Sequence, residues 1–369
     1  GNDENYEHAY QTAQQTIGVP KYIKTKNYEN SRYRARTNQK TPGYDRRSKS
    51  KQNKVTKRCN SNFERLWTEQ HKSDSTISTN NFVVLELLGK GGFGVVYLTK
   101  WYPTVRYSDG VINKKASNGQ LAALKISSKT LLIKKEVQSF IIREKKILSC
   151  CHHPFITNLI TSFKDNFNVY MVFSFIAGGD LFTYLRVVEK LEEIHAQFYI
   201  AQILLAFEYL HCCKIVYRDL KPENIMIQSN GYICIIDFVW ALGILTYELI
   251  CGQPPFSSDN ISDNNVLFEA ILHHPVQFKH DLFSPGTIKF IKSLLKRNPK
   301  QRLGCGGHGI DDVKFHSWLI EQDFNEIYNQ RVKPHYIPVT KNYKKSSKRL
   351  IELPPTVLNE VNEKDFEQF

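Results

Sequence analysis

The stretch Tyr217-Arg218-Asp219-Leu220-Lys221-Pro222-Glu223-Asn224 sets a carboxylate, an ammonium and a carboxamide within one short loop. Asp219 can accept the proton of a substrate hydroxyl, Lys221 can bring positive charge beside a transferred phosphoryl group, and Asn224 can offer an amide oxygen to a metal ion. A charged surface turn has no reason to hold these groups at this spacing. Farther along, Asp237-Phe238 follows the apolar strand Ile233 to Ile236, where a second carboxylate could reach magnesium.

Working back toward the N-terminus, Gly89, Gly91 and Gly94 lie in G-K-G-G-F-G-V-V. Glycine at these positions lets backbone N–H groups approach phosphate oxygens without a Cβ in the way. Glycine turns are common, so context decides the reading. FVVLELLG (Phe82 to Gly89) and GVVYLTK (Gly94 to Lys100) both read as strands. A dinucleotide-binding fingerprint would open a helix, whereas this chain returns as a strand through Val95, Val96 and Tyr97. Lys125 stands on the next strand, Leu121 to Ile126, where its ammonium can meet phosphates. A strand lysine is otherwise an ordinary solvated group. Glu144, on the helical pattern of residues 134–149, can hold that ammonium by a charge-assisted bond.

Between these strands, residues 101–119 are polar, with Asp109-Gly110 and Asn118-Gly119 as turn signals, and form an enlarged connection. Asn168 to Phe175 is another strand. From Leu181 the texture becomes helical, with a long run from Ala196 to Cys212, short strands near Ile225 and Ile233, and apolar helices over Trp240 to Cys251 and Ile288 to Lys296. A strand-rich part followed by a helix-rich part predicts an α+β chain with two lobes around a cleft. The expected organisation is a basic, disordered extension over residues 1–75, a domain over 82–319 (lobes of about 82–173 and 176–319), and a tail over 320–369 that crosses a surface. Within the extension only Phe63 to Trp67 suggests a short amphipathic helix able to dock.

The net charge is +14 and favours acidic partners, but it is concentrated in the extension between Ser31 and Arg58. Tyr22, Tyr28, Tyr33 and Tyr44 intersperse those charges without a folded platform, so nucleic acid is not an expected partner. The eight cysteines lack zinc-site spacing and read as buried thiols of a reducing compartment. No apolar run approaches the ~18 residues of a membrane span, and no leader-like segment follows Gly1. Cytoplasm or nucleus is the expected location.

These motifs, with A-G-G-D at 177–180, G-I-L-T-Y-E-L-I-C-G-Q-P-P-F at 243–256 and R-N-P-K-Q-R-L-G at 297–304, resemble the serine/threonine protein kinases regulated by cyclic nucleotides and lipid signals. The likeness is greatest to the catalytic subunit of cyclic-AMP-dependent protein kinase. The resemblance implies a bilobal kinase fold acting on ATP with Mg2+. Gly89, Gly91, Gly92, Phe93 and Gly94 would cover the phosphates, and Val96, Ala123, Met171, Phe173 and Phe175 would line the adenine pocket and hinge. Lys125 and Glu144 would position the phosphates, Asp219 and Lys221 would serve catalysis, and Asn224 and Asp237 would hold metal. Asp180, Glu223 and Glu248 would read arginines before the target serine or threonine, with Asp180 standing where a glutamate is usual. Phe366 and Phe369 would dock the tail into a pocket on the small lobe. A separate cyclic-nucleotide-binding regulatory subunit is an implied partner.

The resemblance has one break. In the family an activation segment, an Ala-Pro-Glu run and a helix opening on Asp-x-Trp come after the Asp-Phe pair. Here Phe238 runs directly into Val239-Trp240-Ala241-Leu242-Gly243, which already matches that helix. Arg302 matches the arginine that pairs with the glutamate of the missing run, so it must find another partner or turn to solvent. Two functions follow from one pattern: a protein kinase, or a nucleotide- or regulatory-subunit-binding relative without catalysis.

Overall fold

Strand β7 (Asn168–Ser174) alternates its side chains between two buried faces of one sheet. Tyr170 and Val172 point into a cluster with Phe82, Val84, Tyr97, Trp101, Leu124 and Phe163. Val169 and Met171 point the other way, into a cluster with Leu132, Ile141, Phe366 and Phe369. The period of two thus feeds two cores from one strand. The computed structural model describes residues 61–69, 76–92, 94–103, 107–108, 111–112, 119–213, 215, 224–236, 242–256, 274–296, 301–304, 309–340, 363–366 and 369. The expectation for residues 1–60 lies outside them.

The sheet is antiparallel, in the order β1 (Phe82–Gly91), β2 (Gly94–Trp101), β5 (Gln120–Ser128), β7 and β6 (Leu159–Lys164). Within the enlarged connection, β3 (Tyr107–Ser108) and β4 (Val111–Ile112) form a small ribbon. Register pairs Lys125 of β5 with Val96 on one side and Met171 on the other. Strand β6 was not expected from the sequence, because Thr161 and Ser162 interrupt its apolar pattern and a bulge falls between Leu159 and Thr161. Its Phe163 ring stacks on Tyr170 at 4.3 Å and on Phe82 at 5.6 Å, which closes one face of the sheet.

The helical pattern expected over 134–149 is helix α3 (Gln138–Cys150), and a separate short helix, α2 (Lys129–Lys134), precedes it. Glu136 separates them in the left-handed region at φ 56°. No glycine marks this position, so the sequence carried no sign of the break. Before the sheet, α1 spans 61–68. Its Phe63 is buried and stacks on Trp67 at 5.6 Å, and the Lys146 ammonium of α3 lies 4.3 Å from the Trp67 ring centroid.

The second lobe is built on α5 (Glu193–Cys212), preceded by α4 (Leu181–Val188) and followed by the hairpin β8 (Ile225–Ile227) and β9 (Ile233–Ile235). Helix α5 is apolar on nearly every side, as a helix surrounded by protein must be. Its one wholly buried amide is paired: Gln202 donates to the Phe198 carbonyl at 3.0 Å and accepts from the Ile233 N–H at 2.8 Å. Helix α6 (Leu242–Cys251) packs against α5 and against α7 (Pro285–Leu294). Short helices α8 (Ile310–Lys314) and α9 (Phe324–Tyr328) complete the lobe.

Among the described residues, two stretches lead from one lobe to the other. After α3 the chain pairs with β9, with Thr157 N–H donating to the Ile235 carbonyl at 2.9 Å and Ile235 N–H to Phe155 at 3.0 Å. After β7, Gly178 N–H meets the Ile227 carbonyl at 3.0 Å. A Cβ at Gly178 would sit 2.2 Å from that oxygen, which is why the A-G-G-D run needs glycine there. Beyond α9 the tail lies along the large lobe. Tyr232 Oη donates to the Val332 carbonyl at 2.6 Å, and Tyr336 stacks on Tyr184 at 4.1 Å.

Candidate active site

The upper half of the site is assembled by strand register and one helix. Lys125 lies on the face of β5 that looks toward α3, and its Nζ reaches both carboxylate oxygens of Glu144, at 2.7 and 3.0 Å. Neither side chain is deeply buried, at 24% and 35% exposure, so the pair stays accessible from the cleft. An ammonium has three donors, and Lys125 can direct one of them to an incoming phosphate oxygen while it stays bonded to Glu144.

The β1–β2 turn lies beside this pair. Gly91 pairs with Gly94, and Gly92 follows at the tip of the turn. A Cβ at Gly94 would meet the Ile126 carbonyl oxygen at 2.3 Å and Ser127 Oγ at 2.7 Å, so that glycine is required by the neighbouring strand. Gly89 and Gly92 have nothing within 4 Å of an added Cβ, and Gly91 only a backbone oxygen at 3.9 Å. Their faces are open, as a phosphate-approaching backbone would need. Val96 and Ala123 lie on adjoining strands β2 and β5; Phe173 of β7 is opposite Ala123 in register. Met171 of β7 is buried with Ile141 of α3 and Leu132 of α2, and Phe175 begins the connection to the large lobe.

In the lower half, Asn224 is 9% exposed, and its carbonyl accepts the Ile236 N–H at 3.0 Å. It therefore stands at the strand end from which the chain runs on to Asp237. Asp219, Lys221, Glu223, Asp237 and Phe93 lie outside the described residues. Asp180 caps α4: its carboxylate accepts from Thr183 N at 2.7 Å and Thr183 Oγ1 at 2.9 Å. That cap was not foreseen, although aspartate before an apolar helical run is its usual signal. Glu248 lies on α6, half-buried. Arg302 is half-exposed, and its Nε donates to the Lys296 carbonyl at 2.9 Å. The six described cysteines are free thiols, four of them buried, and burial pushes Cys234 up to about 12.

Phe366 and Phe369 are 0% and 1% exposed, sealed against Leu132, Ile141, Val169 and Met171. Lys164 Nζ donates to the Phe366 carbonyl and Lys145 Nζ to that of Phe369. Lys145 follows Glu144 on α3, so the docked tail touches the same helix that holds the Lys125 ion pair. Burial, then the neighbouring Lys164 charge, holds the Lys145 pKa down at about 8.

The sequence matches the protein kinase domain over residues 82–238 and 239–319, and the chain belongs to that family. It is 31% identical to the serine/threonine-protein kinase SCH9 of Saccharomyces cerevisiae over 312 residues, 74% of this chain and 36% of that one. It is 32% identical to the cAMP-dependent protein kinase catalytic subunit 3 of Drosophila melanogaster over 294 residues, 70% and 47% of the two chains. With a cGMP-dependent protein kinase of Plasmodium berghei it shares 31% over 306 residues, 73% and 34%. The chain spans about a third to a half of the length of these relatives. Their near-equal identities place it among such kinases and do not single out the cyclic-AMP type. No described helix is long and apolar enough to cross a membrane.

Proposed function

We propose that this chain transfers the terminal phosphoryl group of ATP to serine or threonine in arginine-containing protein substrates, in the manner of cyclic-AMP-dependent kinases. The observation that carries the proposal is the two-pronged Lys125–Glu144 contact beside the glycine turn. Glu144 holds the Lys125 ammonium toward the phosphates, and the open faces of Gly89, Gly91 and Gly92 give backbone N–H groups a close approach. Val96, Ala123, Met171 and the hinge from Phe173 to Phe175 take the adenine. Asp219 receives the hydroxyl proton, and Lys221 offsets charge on the moving phosphoryl. Magnesium, held by Asn224 and Asp237, would neutralise the phosphate oxygens. Asp180, Glu223 and Glu248 attract arginines on the N-terminal side of the target. A cyclic-nucleotide-binding regulatory subunit is a proposed partner.

A second reading, binding of nucleotide or regulatory subunit without phosphoryl transfer, is favoured by one observation. The family match comes in two parts that meet at residues 238 and 239, which supports reading the chain as one without an activation segment. The full chain should be assayed for magnesium-dependent transfer to a serine peptide with preceding arginines. Transfer that falls roughly a hundredfold or more in Asp219→Asn supports the kinase. Nucleotide binding with no transfer selects the second reading, and absence of nucleotide binding removes the kinase and leaves only binding of a regulatory subunit.

A further inference from the structure

The tip of the glycine turn is held from outside the sheet. Lys135 Nζ donates to the Gly92 carbonyl at 2.7 Å, linking the tip to the residue that ends α2. An added Cβ at Gly92 would meet nothing within 4 Å, so the bond to its carbonyl is made in open space.

Helix α2 has six residues and could not persist alone. Three contacts fix it. At its start the Lys129 N–H donates to the Phe167 carbonyl at 2.9 Å, and Ser128 Oγ accepts from Leu131 N–H. In the middle, Leu132 is wholly buried among Ile141, Val169, Met171, Phe366 and Phe369. At its end Lys135 N–H reaches the Leu131 carbonyl at 3.1 Å, and Val137 N–H closes on Leu132 at 3.0 Å. Glu136 is left-handed within that closure, a conformation that side-chain-bearing residues hold only when their surroundings fix it. The backbone of Lys135 therefore has one direction, and its side chain reaches the glycine tip.

We propose that Lys135 is a positioning residue of the nucleotide site. It tethers the tip of the glycine turn to α2 and, through Leu132, makes the order of that turn depend on the docked Phe366 and Phe369. The proposal rests on reading the turn as a phosphate cover. A single exposed hydrogen bond has a modest effect, so the expected changes are a few-fold.

The test is hydrogen exchange of the amides around residues 89–95 in the full chain without nucleotide, with magnesium-ATP affinity measured in parallel. Lys135→Met should speed exchange and weaken ATP binding, each roughly three- to tenfold, and Lys135→Arg should restore both. Phe369→Ala should speed the same amides with Lys135 intact. Lys135 is exposed, so its variants keep the fold. Unchanged exchange in Lys135→Met overturns the tether. Faster exchange in a chain that binds no ATP would keep the tether and overturn its role at a nucleotide site.

Discussion

The two halves of the site are held in different ways. In the small lobe, Lys125 and Glu144 sit on a central strand and a thirteen-residue helix, and the face they share is sealed by the rings of Phe366 and Phe369. In the large lobe, Asn224 sits where a short hairpin begins, steadied by backbone pairing with Ile236 and by the Gln202 amide behind β9. The first half depends on apolar burial contributed from the far end of the chain. The second depends on a few buried hydrogen bonds between neighbouring elements. Burial is collective and tolerant of direction, whereas a buried hydrogen bond fails as soon as one partner goes.

The largest blow to the small-lobe half should come from removing both tail rings. Phe366→Ala with Phe369→Ala is expected to cost about 3 kcal/mol, the burial of two rings less the freedom regained by the tail. Thermal melting should fall, and protease should cut the tail faster. An unchanged melting temperature would mean that the sheet and α3 do not need the tail. For the large-lobe half, Gln202→Leu leaves the Ile233 N–H buried without its acceptor, at a cost of about 1–3 kcal/mol. Urea unfolding checks it; a neutral result would show that the hairpin is held by packing alone.

A third effect, visible only as pH falls, lies at the joint between the halves. His153 packs against Phe155, Tyr209 and Tyr328, and burial pushes its pKa down from the usual value to about 3. The unfolded chain takes up this proton below about pH 6.5 and the folded chain does not. Its contribution to stability is therefore full above that pH and declines as pH falls toward 3. His153→Phe should flatten this part of the stability profile; an unchanged acid slope would show that other groups set it.

Much of this was legible beforehand. The strands flanking the glycine turn, the strand of Lys125 and the docking helix around Phe63 all followed from local patterns, because alternation and helical spacing are properties of short stretches. Strand β6 and the break at Glu136 were not. The first is polar in sequence and becomes a strand by pairing with β7, and the second has no glycine and is held open by the closure of α2 on α3.

The sequence by itself determined the kinase character of the chain: the order and spacing of glycines, lysine, aspartates and asparagine are one-dimensional facts. It also determined that Phe238 adjoins Val239. Only the tertiary structure decided that Lys135 reaches Gly92 and that Phe366 and Phe369 pack on Leu132, Ile141, Val169 and Met171. Those contacts join residues far apart in the chain. Their geometry is set by sheet register and by which faces must be buried, and no local stretch of sequence encodes that.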